Sequence, residues 1–392
     1  MNNSVAKTYN RKNVSFSHGN GIYLYTADGD KYMDLAAGIA VNILGHSNEK
    51  LIEALKVQAD KLWHVSNLYN IEGQQKLAQK LTLSSFADKV FFCNSGAEAV
   101  ECTIKAARRY HFYKGNNDKS KIITFKGSFH GRTLGTIAAA NNSSHLEGFG
   151  LPLQGFVNIE RNNLDELKSS INDTIAAILI EPIQGEGGIN TFDENFIIEV
   201  NNIAKANDIL ILFDEVQCGM GRTGKLFAHE WFDVNPDVMA LAKGLGGGFP
   251  IGACLMTDAV ANALGPGTHG STFGGNPLAS AVGNCVMDIV NNNSFLAEVE
   301  EKGKIFNSKL NKLKAGSNLI SEIRGLGLMI GIQFNIDSSI VANKLFEKNL
   351  LTVGAGDNVI RLLPPLNISK SEIDKVIDIL DITLREIQAN GQ

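Results

Sequence analysis

The sequence has few cysteines, little net charge and no long apolar run. Its 392 residues include five scattered cysteines, at positions 93, 102, 218, 254 and 285, and no C-x-x-C pair. This pattern argues against a disulfide framework or a structural zinc site and is typical of a reduced, cytoplasmic protein. No apolar run approaches the roughly 18 residues of a membrane span, and no apolar segment follows the basic N-terminus. We therefore expect neither membrane association nor secretion.

The composition excludes further classes. There are 36 Lys and Arg against 41 Asp and Glu, and 44% of the residues are hydrophobic, which is too apolar for a disordered chain. A nucleic-acid-binding protein needs a basic field, and the formal net charge here is -5. The eight histidines form no H-E-x-x-H or other tight pair, so no metal site is predicted. At roughly 100–200 residues per domain, the length predicts two domains, or one large domain with a smaller satellite.

Between residues 88 and 257, short apolar runs alternate with longer amphipathic stretches. The runs predict buried strands at DKVFFC, KIITF, IAAILI, ILILF, DVMALA and IGACLM. Helical patterns such as GAEAVECTIKAARRYHFY and ENFIIEVNNIAKAND lie between them. This alternation predicts an α/β domain whose largely parallel sheet is covered on both faces. From Asn276 onwards, helical patterns around short strands near LGLMIGIQF and NVIRLL predict a smaller α+β unit, and no Pro-rich linker separates the two parts.

Polar residues follow these strands, at the sheet edge where α/β proteins bind ligands. They are Asn94 to Ala97 after VFFC, Glu181 after AILI, Asp214 to Gln217 after ILILF, and Lys243 after VMALA. Ser95 with Glu98 opens a helix whose N-terminus either binds a phosphate or is an ordinary capping box. The Asp214 carboxylate faces either solvent or a buried cationic partner at the sheet edge, or it caps a helix. Lys243 precedes a glycine run and could form a Schiff base with a carbonyl cofactor.

A second motif suggests a different class of protein. Residues 219–225 fit the phosphate-loop pattern G-x-x-x-x-G-K, which would indicate a nucleotide triphosphate enzyme. Leu226, however, stands where that loop needs Ser or Thr to hold magnesium, and the match begins well after its strand. A non-catalytic small-molecule binding protein is the other alternative, but it would not need Lys243 and Asp214 together.

A phosphate site, a carboxylate and a lysine are together what an enzyme needs to bind pyridoxal phosphate. Six motifs carry a closer resemblance, in order between Gly21 and Pro365: NSGAEA, FHGRT, EPIQGEGG, LFDEVQCGMGRTGK, LAKGLGGGFPIGA and HGSTFGGNPLA. They closely resemble the class III (ornithine-type) aminotransferases, whose cofactor is pyridoxal 5'-phosphate. The resemblance implies that Lys243 forms the Schiff base with the cofactor and that Asp214 pairs with its ring nitrogen.

The resemblance also implies the remaining contacts of the cofactor and the substrates. Those predicted for the cofactor are the phosphate-binding Gly96, Ala97 and the partner subunit's Thr272, the ring-stacking Phe129 and Val216, and Gln217 on the ring hydroxyl. Arg132 resembles the clamp for the substrate carboxylate, with Ser271 in the same pocket. Arg361 is similar to a second carboxylate clamp, and Glu186 to its switchable partner. Arginine suits both clamps because its planar fork bonds two oxygens at once.

The implied fold is the type I aminotransferase fold in a homodimer with shared active sites. Residues 51–275 would form the large α/β cofactor-binding domain, residues 276–392 the small α+β domain, and residues 1–50 a segment that joins the small domain. The implied reaction moves the terminal amine of N2-acetylornithine to 2-oxoglutarate, in arginine biosynthesis. Alternative donors are succinylornithine, succinyl-diaminopimelate, free ornithine and 4-aminobutyrate. Gly38 favours an acylated donor, because it aligns with a tyrosine that bonds the free α-amine in ornithine-specific relatives.

Overall fold

The computed structural model describes residues 4–389 and 391 of the chain. The strands are β1 Phe16–Asn20, β2 Tyr23–Thr26, β3 Lys31–Asp34, β4 Lys89–Cys93, β5 Lys121–Phe125, β6 Phe156–Ile159, β7 Ile175–Ile180, β8 Ile183–Gln184, β9 Asn190–Thr191, β10 Leu210–Asp214, β11 Val238–Leu241, β12 Gly252–Met256, β13 Ile320–Leu326, β14 Met329–Phe334, β15 Leu350–Leu351, β16 Val353–Ala355 and β17 Val359–Leu362. The helices are α1 Ala37–Ala40, α2 Glu49–Ala59, α3 Glu72–Leu83, α4 Gly96–Tyr113, α5 Leu134–Ala140, α6 Ser143–Leu146, α7 Leu164–Ser170, α8 Glu194–Ala206, α9 Asp258–Ala261, α10 Pro277–Val290, α11 Asn293–Ala315, α12 Ser338–Glu347 and α13 Lys370–Ala389.

A seven-stranded sheet forms the centre of the molecule. Its strand order is β4-β12-β11-β10-β7-β5-β6, and only β12 runs against its neighbours. All six apolar runs singled out in the sequence are strands of this sheet, so the predicted α/β fold is confirmed. Strand β7 shows why these strands could be predicted from apolar runs. Every one of its residues is buried, and a strand that is buried on both faces is apolar on both.

Both ends of the chain contribute to the smaller sheets. One sheet has the order β1-β2-β3-β15, so that the N-terminal strands pair with a strand near the C-terminus. A second, antiparallel sheet has the order β13-β14-β17-β16 and packs against α11. Helix α10 packs against α2 and α3. The predicted domain boundaries stay a prediction, and residues 1–3, 390 and 392 at their outer limits lie outside the described residues.

Candidate active site

A cavity of about 440 Å³ lies at the carboxyl ends of β10 and β11. The predicted residues in its lining are Gly96, Ala97, Phe129, Arg132, Asp214, Val216, Gln217 and Lys243. Lys243 follows β11 and begins a single 3-10 turn, Lys243–Gly246, with a backbone φ of 42°. This left-handed conformation is uncommon for a residue with a side chain, and such strain occurs mainly at functional sites.

The N-terminus of α4 forms one wall of the cavity. Ser95 caps the helix, since its Oγ accepts a hydrogen bond from the backbone N–H of Glu98 at 3.3 Å. The backbone N–H groups of Gly96 and Ala97 have no partner among the residues that the structure describes. A Cβ on Gly96 would lie 2.7 Å from Val216 Cγ1, which explains the glycine. Ser95 is therefore a simple N-cap without the return bond that a capping box requires, and it leaves two donors for an anion.

Asp214 is buried at the end of β10 and bonds a histidine. Its Oδ2 lies 2.8 Å from Nδ1 of His130, and its Oδ1 accepts from the backbone N–H of Val216 at 3.1 Å. His130 is also buried, and its Nε2 has no partner within the described chain. No role is predicted for His130 from the sequence, although it lies in the FHGRT motif. Its partner is distant in the sequence, so no local pattern could reveal the pair.

A second buried carboxyl, that of Glu181, lines the cavity after β7. It accepts from the backbone N–H of Phe129 at 2.6 Å and of Gly185 at 3.4 Å. Burial, and then the negative charge of Asp214, raise the pKa of Glu181 well above its ordinary value, while these two hydrogen bonds oppose the shift. The sequence analysis noted Glu181 at a strand end but assigned it no role.

Arg361 on β17 and Glu186 form a two-pronged ion pair. Nη1 donates to Oε1 at 2.6 Å and Nη2 to Oε2 at 2.8 Å. The Arg361 side chain is 1% exposed, whereas that of Glu186 is 30% exposed, so only the carboxylate has contact with solvent. Burial alone would raise the pKa of Glu186, but the hydrogen bonds and charge of Arg361 outweigh it, and the pKa lies below the ordinary value.

Gln217 connects this ion pair to the loop that follows Asp214. Its Oε1 accepts from Arg361 Nη1 at 3.2 Å, and its Nε2 donates to Glu186 Oε1 at 3.4 Å. The Gln217 side chain is thus already engaged, so a bond to a ring hydroxyl would compete with the long contact to Glu186. The charges of this ion pair also affect the pKa of Lys243. Burial lowers that pKa and the charge of Arg361 lowers it further, whereas the charges of Glu186 and Asp214 oppose the shift.

Arg132 is exposed at the mouth of the cavity. Its guanidinium carbon lies 5.5 Å from the centre of the Phe129 ring. His145 lies near the same aromatic ring. Its ring is edge-on to that of Phe129, with 5.9 Å between the two ring centres. Burial, and then the charge of Arg132, lower the pKa of His145. Nothing in the sequence analysis indicated His145, because it lies in a polar surface segment with no motif.

Ser271 and Thr272 lie outside this lining. Both line a second cavity of about 740 Å³, together with His64 and His269. Ser271 Oγ accepts from Asn94 Nδ2 at 3.1 Å, so a residue that lines the second cavity contacts a residue that lines the first, just after β4. Within one chain, therefore, the structure does not bring Ser271 and Thr272 to Lys243.

The loop that fits the phosphate-loop pattern holds no anion site in its described geometry. Arg222 and Thr223 are fully buried, and Leu226 is buried where a magnesium ligand would be required. The Lys225 ammonium lies 5.2 Å from the centre of the Trp231 ring instead of facing a phosphate site. The alternative of a nucleotide triphosphate enzyme has no support in this geometry. Residues 4–389 and 391 also contain no cluster of three or more potential metal ligands and no helix long and apolar enough to span a membrane.

Comparison with known proteins identifies the family. The model of the family "Aminotransferase class-III" matches residues 4–384, so the chain belongs to the class III aminotransferases. It is 50% identical over 376 residues to an acetylornithine aminotransferase of Mesorhizobium japonicum, covering 96% of this chain and 94% of that one. It is 52% identical over 360 residues to an acetylornithine aminotransferase of Agrobacterium fabrum, covering 92% and 90%.

Solved structures agree with this assignment. The ornithine aminotransferase of Toxoplasma gondii superposes with a TM-score of 0.95 at 30% identity, covering 99% of this chain and 94% of that one. The N-acetylornithine aminotransferase of Stenotrophomonas maltophilia superposes with a TM-score of 0.86 at 36% identity, covering 97% and 98%. The cofactor of the family is pyridoxal phosphate, and a further structure of the Toxoplasma enzyme is described with this cofactor at its active site.

Proposed function

We propose that this enzyme transfers the terminal amine of N2-acetylornithine to 2-oxoglutarate, giving N-acetylglutamate 5-semialdehyde and glutamate. The observation that carries the proposal is the Glu186–Arg361 pair near Lys243, with a second arginine, Arg132, at the cavity mouth. Two arginines, one of them neutralised by a movable glutamate, suit a site that must accept a monocarboxylate and then a dicarboxylate. The reaction would serve arginine biosynthesis in the cytoplasm.

The donor chemistry of the cavity supports pyridoxal phosphate as the cofactor. The two unpartnered N–H groups of Gly96 and Ala97 are suited to its phosphate. Asp214 would bind its ring nitrogen, because a buried carboxylate favours the protonated ring. Lys243 would bind its aldehyde carbon. The other proposed contacts follow the family resemblance: Phe129 and Val216 on the ring faces, Gln217 on the ring hydroxyl, and Thr272 from a partner subunit on the phosphate.

The proton transfers are assigned to side chains of this chain. When bound, pyridoxal phosphate supplies a protonated ring that withdraws electrons from the substrate carbon losing its proton. Asp214 keeps the ring nitrogen protonated, and His130 holds the Asp214 carboxylate in place through Nδ1. Nζ of Lys243 would take the proton from the substrate carbon that bears the amine and would deliver it to the carbon on the other side of the transferred nitrogen. Burial lowers the pKa of Lys243, and this favours the neutral amine that acts as a base.

Two carboxylate sites distinguish the two substrates. In the first half-reaction Arg132 would clamp the carboxylate of the donor while Glu186 neutralises Arg361. Ser271 lines the other cavity of its own chain, so it would reach this pocket only from a partner subunit. In the second, Glu186 would swing out so that Arg361 binds the second carboxylate of 2-oxoglutarate. The partial exposure of Glu186 supports this, because a carboxylate that reaches solvent can leave its partner at lower cost than a fully buried one.

The choice of an acylated donor rests on Gly38 and on the relatives. Gly38 has a φ of 66°, and a Cβ there would lie 3.3 Å from Asn42 Nδ2 and 3.4 Å from Val41 Cβ. Val41 lines the active-site cavity, so this turn borders the space for the donor. Without a hydroxyl at position 38, a free α-ammonium would lose a partner, whereas acetylation removes the charge that requires one. Free ornithine is the second candidate, favoured by the TM-score of 0.95 to the Toxoplasma enzyme.

A homodimer with shared active sites is part of this proposal. Thr272 lies outside the cavity of its own chain, so a contact with the phosphate requires a second subunit. Around it, the apolar side chains of Trp63, Leu68 and Phe273 are 65%, 87% and 58% exposed. Exposed apolar groups concentrated around one cavity are typical of a protein interface and support the dimer.

A panel of amino donors tests the function. Purified enzyme with 2-oxoglutarate should show a kcat/KM for N2-acetylornithine at least about tenfold above that for ornithine, the scale of one good polar contact. Succinylornithine, succinyl-diaminopimelate and 4-aminobutyrate complete the panel. In Gly38→Tyr the gap should narrow, mainly through loss of the acetylated donor. Equal efficiency with both donors in the wild-type enzyme would refute the substrate assignment but leave the aminotransferase class intact.

A further inference from the structure

Arg222 is buried without a carboxylate partner. It is 0% exposed, and within the described chain its side chain donates only to backbone: Nη1 bonds the carbonyl oxygens of Leu328 at 3.1 Å and Pro364 at 2.6 Å. Nε and Nη2 have no partner there, and burial lowers the pKa of the guanidinium to about 9. A buried cation paired only with carbonyls is costly. This cost indicates that the Arg222 guanidinium has a role other than stability.

The two carbonyls belong to the strands that hold the substrate-selecting arginine. Leu328 directly precedes β14, and Pro364 lies just beyond the end of β17. These strands are antiparallel neighbours, and Arg361 on β17 lies opposite Gly331 on β14. The backbone N–H of Leu328 also donates to the carbonyl of Arg222 at 3.0 Å, so Leu328 is bonded to Arg222 twice.

Arg222 is also connected, through backbone hydrogen bonds, to the start of the loop that follows Asp214. The N–H of Gly219 donates to the carbonyl of Glu215 at 3.0 Å, and the N–H of Arg222 donates to the carbonyl of Gly219 at 3.3 Å. Two successive turns thus join Asp214 to Arg222. Gln217, between them, contacts Arg361 directly. Two side chains of the loop therefore bond the region of β17: Gln217 bonds Arg361 itself, and Arg222 bonds the backbone beyond the strand. Of the two, only Arg222 is assigned no contact with a substrate or cofactor.

We propose that Arg222 is a positioning residue that sets the place of Arg361 relative to Lys243, and so the affinity for a dicarboxylic acceptor. The inference rests on the proposed function. Since Arg222 bonds only backbone carbonyls, its loss shifts β17 without removing a group that touches substrate. A displaced Arg361 that loses one hydrogen bond to a carboxylate loses roughly 10- to 150-fold in affinity for it. The monocarboxylic donor, clamped by Arg132, does not depend on Arg361.

Three variants of the holoenzyme test this role. Arg222→Met removes both hydrogen bonds, and Arg222→Lys keeps a cation that can donate to the carbonyls. Thr223→Val is the matched control, because Thr223 is equally buried in the same loop but its hydroxyl accepts only from Trp231 Nε1, at 3.1 Å. The measurements are the Kd of glutarate, a dicarboxylate that cannot react, and kcat and KM for 2-oxoglutarate and for pyruvate.

Arg222→Met should weaken glutarate binding and raise KM for 2-oxoglutarate at least about tenfold, with kcat, pyruvate and N2-acetylornithine changed by less than about twofold. Arg222→Lys should recover most of the affinity, and Thr223→Val should alter neither. Equal losses for pyruvate and 2-oxoglutarate, or unchanged glutarate binding, would overturn the inference. Should the Met variant not fold, Arg222→Gln, which keeps one donor, must show the same dicarboxylate-specific loss. A wild-type enzyme that does not bind glutarate would instead overturn the proposed function.

Discussion

Replacing Glu186 by glutamine should make glutamate a better amino donor. In the wild-type structure, a glutamate side-chain carboxylate can reach Arg361 only after Glu186 has left two hydrogen bonds, of 2.6 and 2.8 Å. A hydrogen bond to a charged group contributes about 1.5–3 kcal/mol. Glutamine keeps one acceptor oxygen but no charge, so the cost of leaving falls by at least the lower figure. Since ~1.4 kcal/mol is a factor of ten, the ratio of kcat/KM for glutamate to that for N2-acetylornithine should rise at least about tenfold.

The assay is single-turnover mixing of the cofactor-loaded enzyme with each donor, followed by absorbance. Glu322→Gln is the control, because Glu322 bonds Arg324 Nε at 2.6 Å in the same small sheet but is half-exposed and away from the cavity. The control should leave the ratio unchanged. An unchanged ratio in Glu186→Gln would refute the switch, whatever happens to the absolute rates.

The pH dependence gives an independent check on the same pair. The pKa of Glu186 lies below its ordinary value of 4.5, so the folded state binds the proton less well than the unfolded chain. The pair's contribution to stability is therefore fully present above the ordinary value and is lost as the pH falls through the lowered one. Wild-type unfolding free energy should decrease in that acidic window more steeply than that of Glu186→Gln, as measured by denaturant titration.

Three further outcomes are expected. Borohydride reduction of the holoenzyme followed by peptide mapping should label Lys243, and Lys243→Ala should lose the imine absorption; a label on Lys225 would contradict the assignment. Asp214→Asn should slow proton abstraction by roughly 10²-fold or more in single turnovers while cofactor affinity changes far less, and near-wild-type rates would rule out its role. Thr272→Val should weaken retention of the cofactor while sedimentation still reports a dimer; a monomeric wild-type enzyme would exclude shared sites.

The strands of the central sheet were predictable because burial on both faces requires continuous apolar runs. Strand β6, FVNI, was not predicted, since it lies at the sheet edge, is mostly half-buried and is interrupted by Asn158. Helix α4 was predicted over its full length because its apolar positions recur with the helical period. Local periodicity thus accounts for the elements that the core covers.

The active site was less accessible to sequence reasoning, because its energetics depend on distant partners. The strand ends indicated Glu181 and Asp214, but not that Asp214 bonds His130 or that its charge raises the pKa of Glu181. Residues 219–225 match the phosphate-loop pattern in sequence, but their structure is not that of a phosphate-binding loop. The Arg222 side chain instead points inward and bonds the backbone beside a neighbouring sheet. The charge state of a buried side chain depends on its partners in the folded chain and therefore has no local signature.

The placement of Arg361 on β17, the last strand of the described chain, has a consequence for how the enzyme matures. Lys243, Asp214 and the phosphate-binding helix all leave the ribosome well before β17 does. At about 5–20 residues per second, the interval between Lys243 and Arg361 is roughly 6–24 s. During that interval the nascent chain contains Lys243 and Asp214, which are proposed to bind the cofactor, but not Arg361, which is proposed to distinguish a dicarboxylate. Under this proposal, the residue that selects the substrate is synthesised after Lys243 and Asp214. A chain that ends before β17 would therefore contain those two residues but not Arg361.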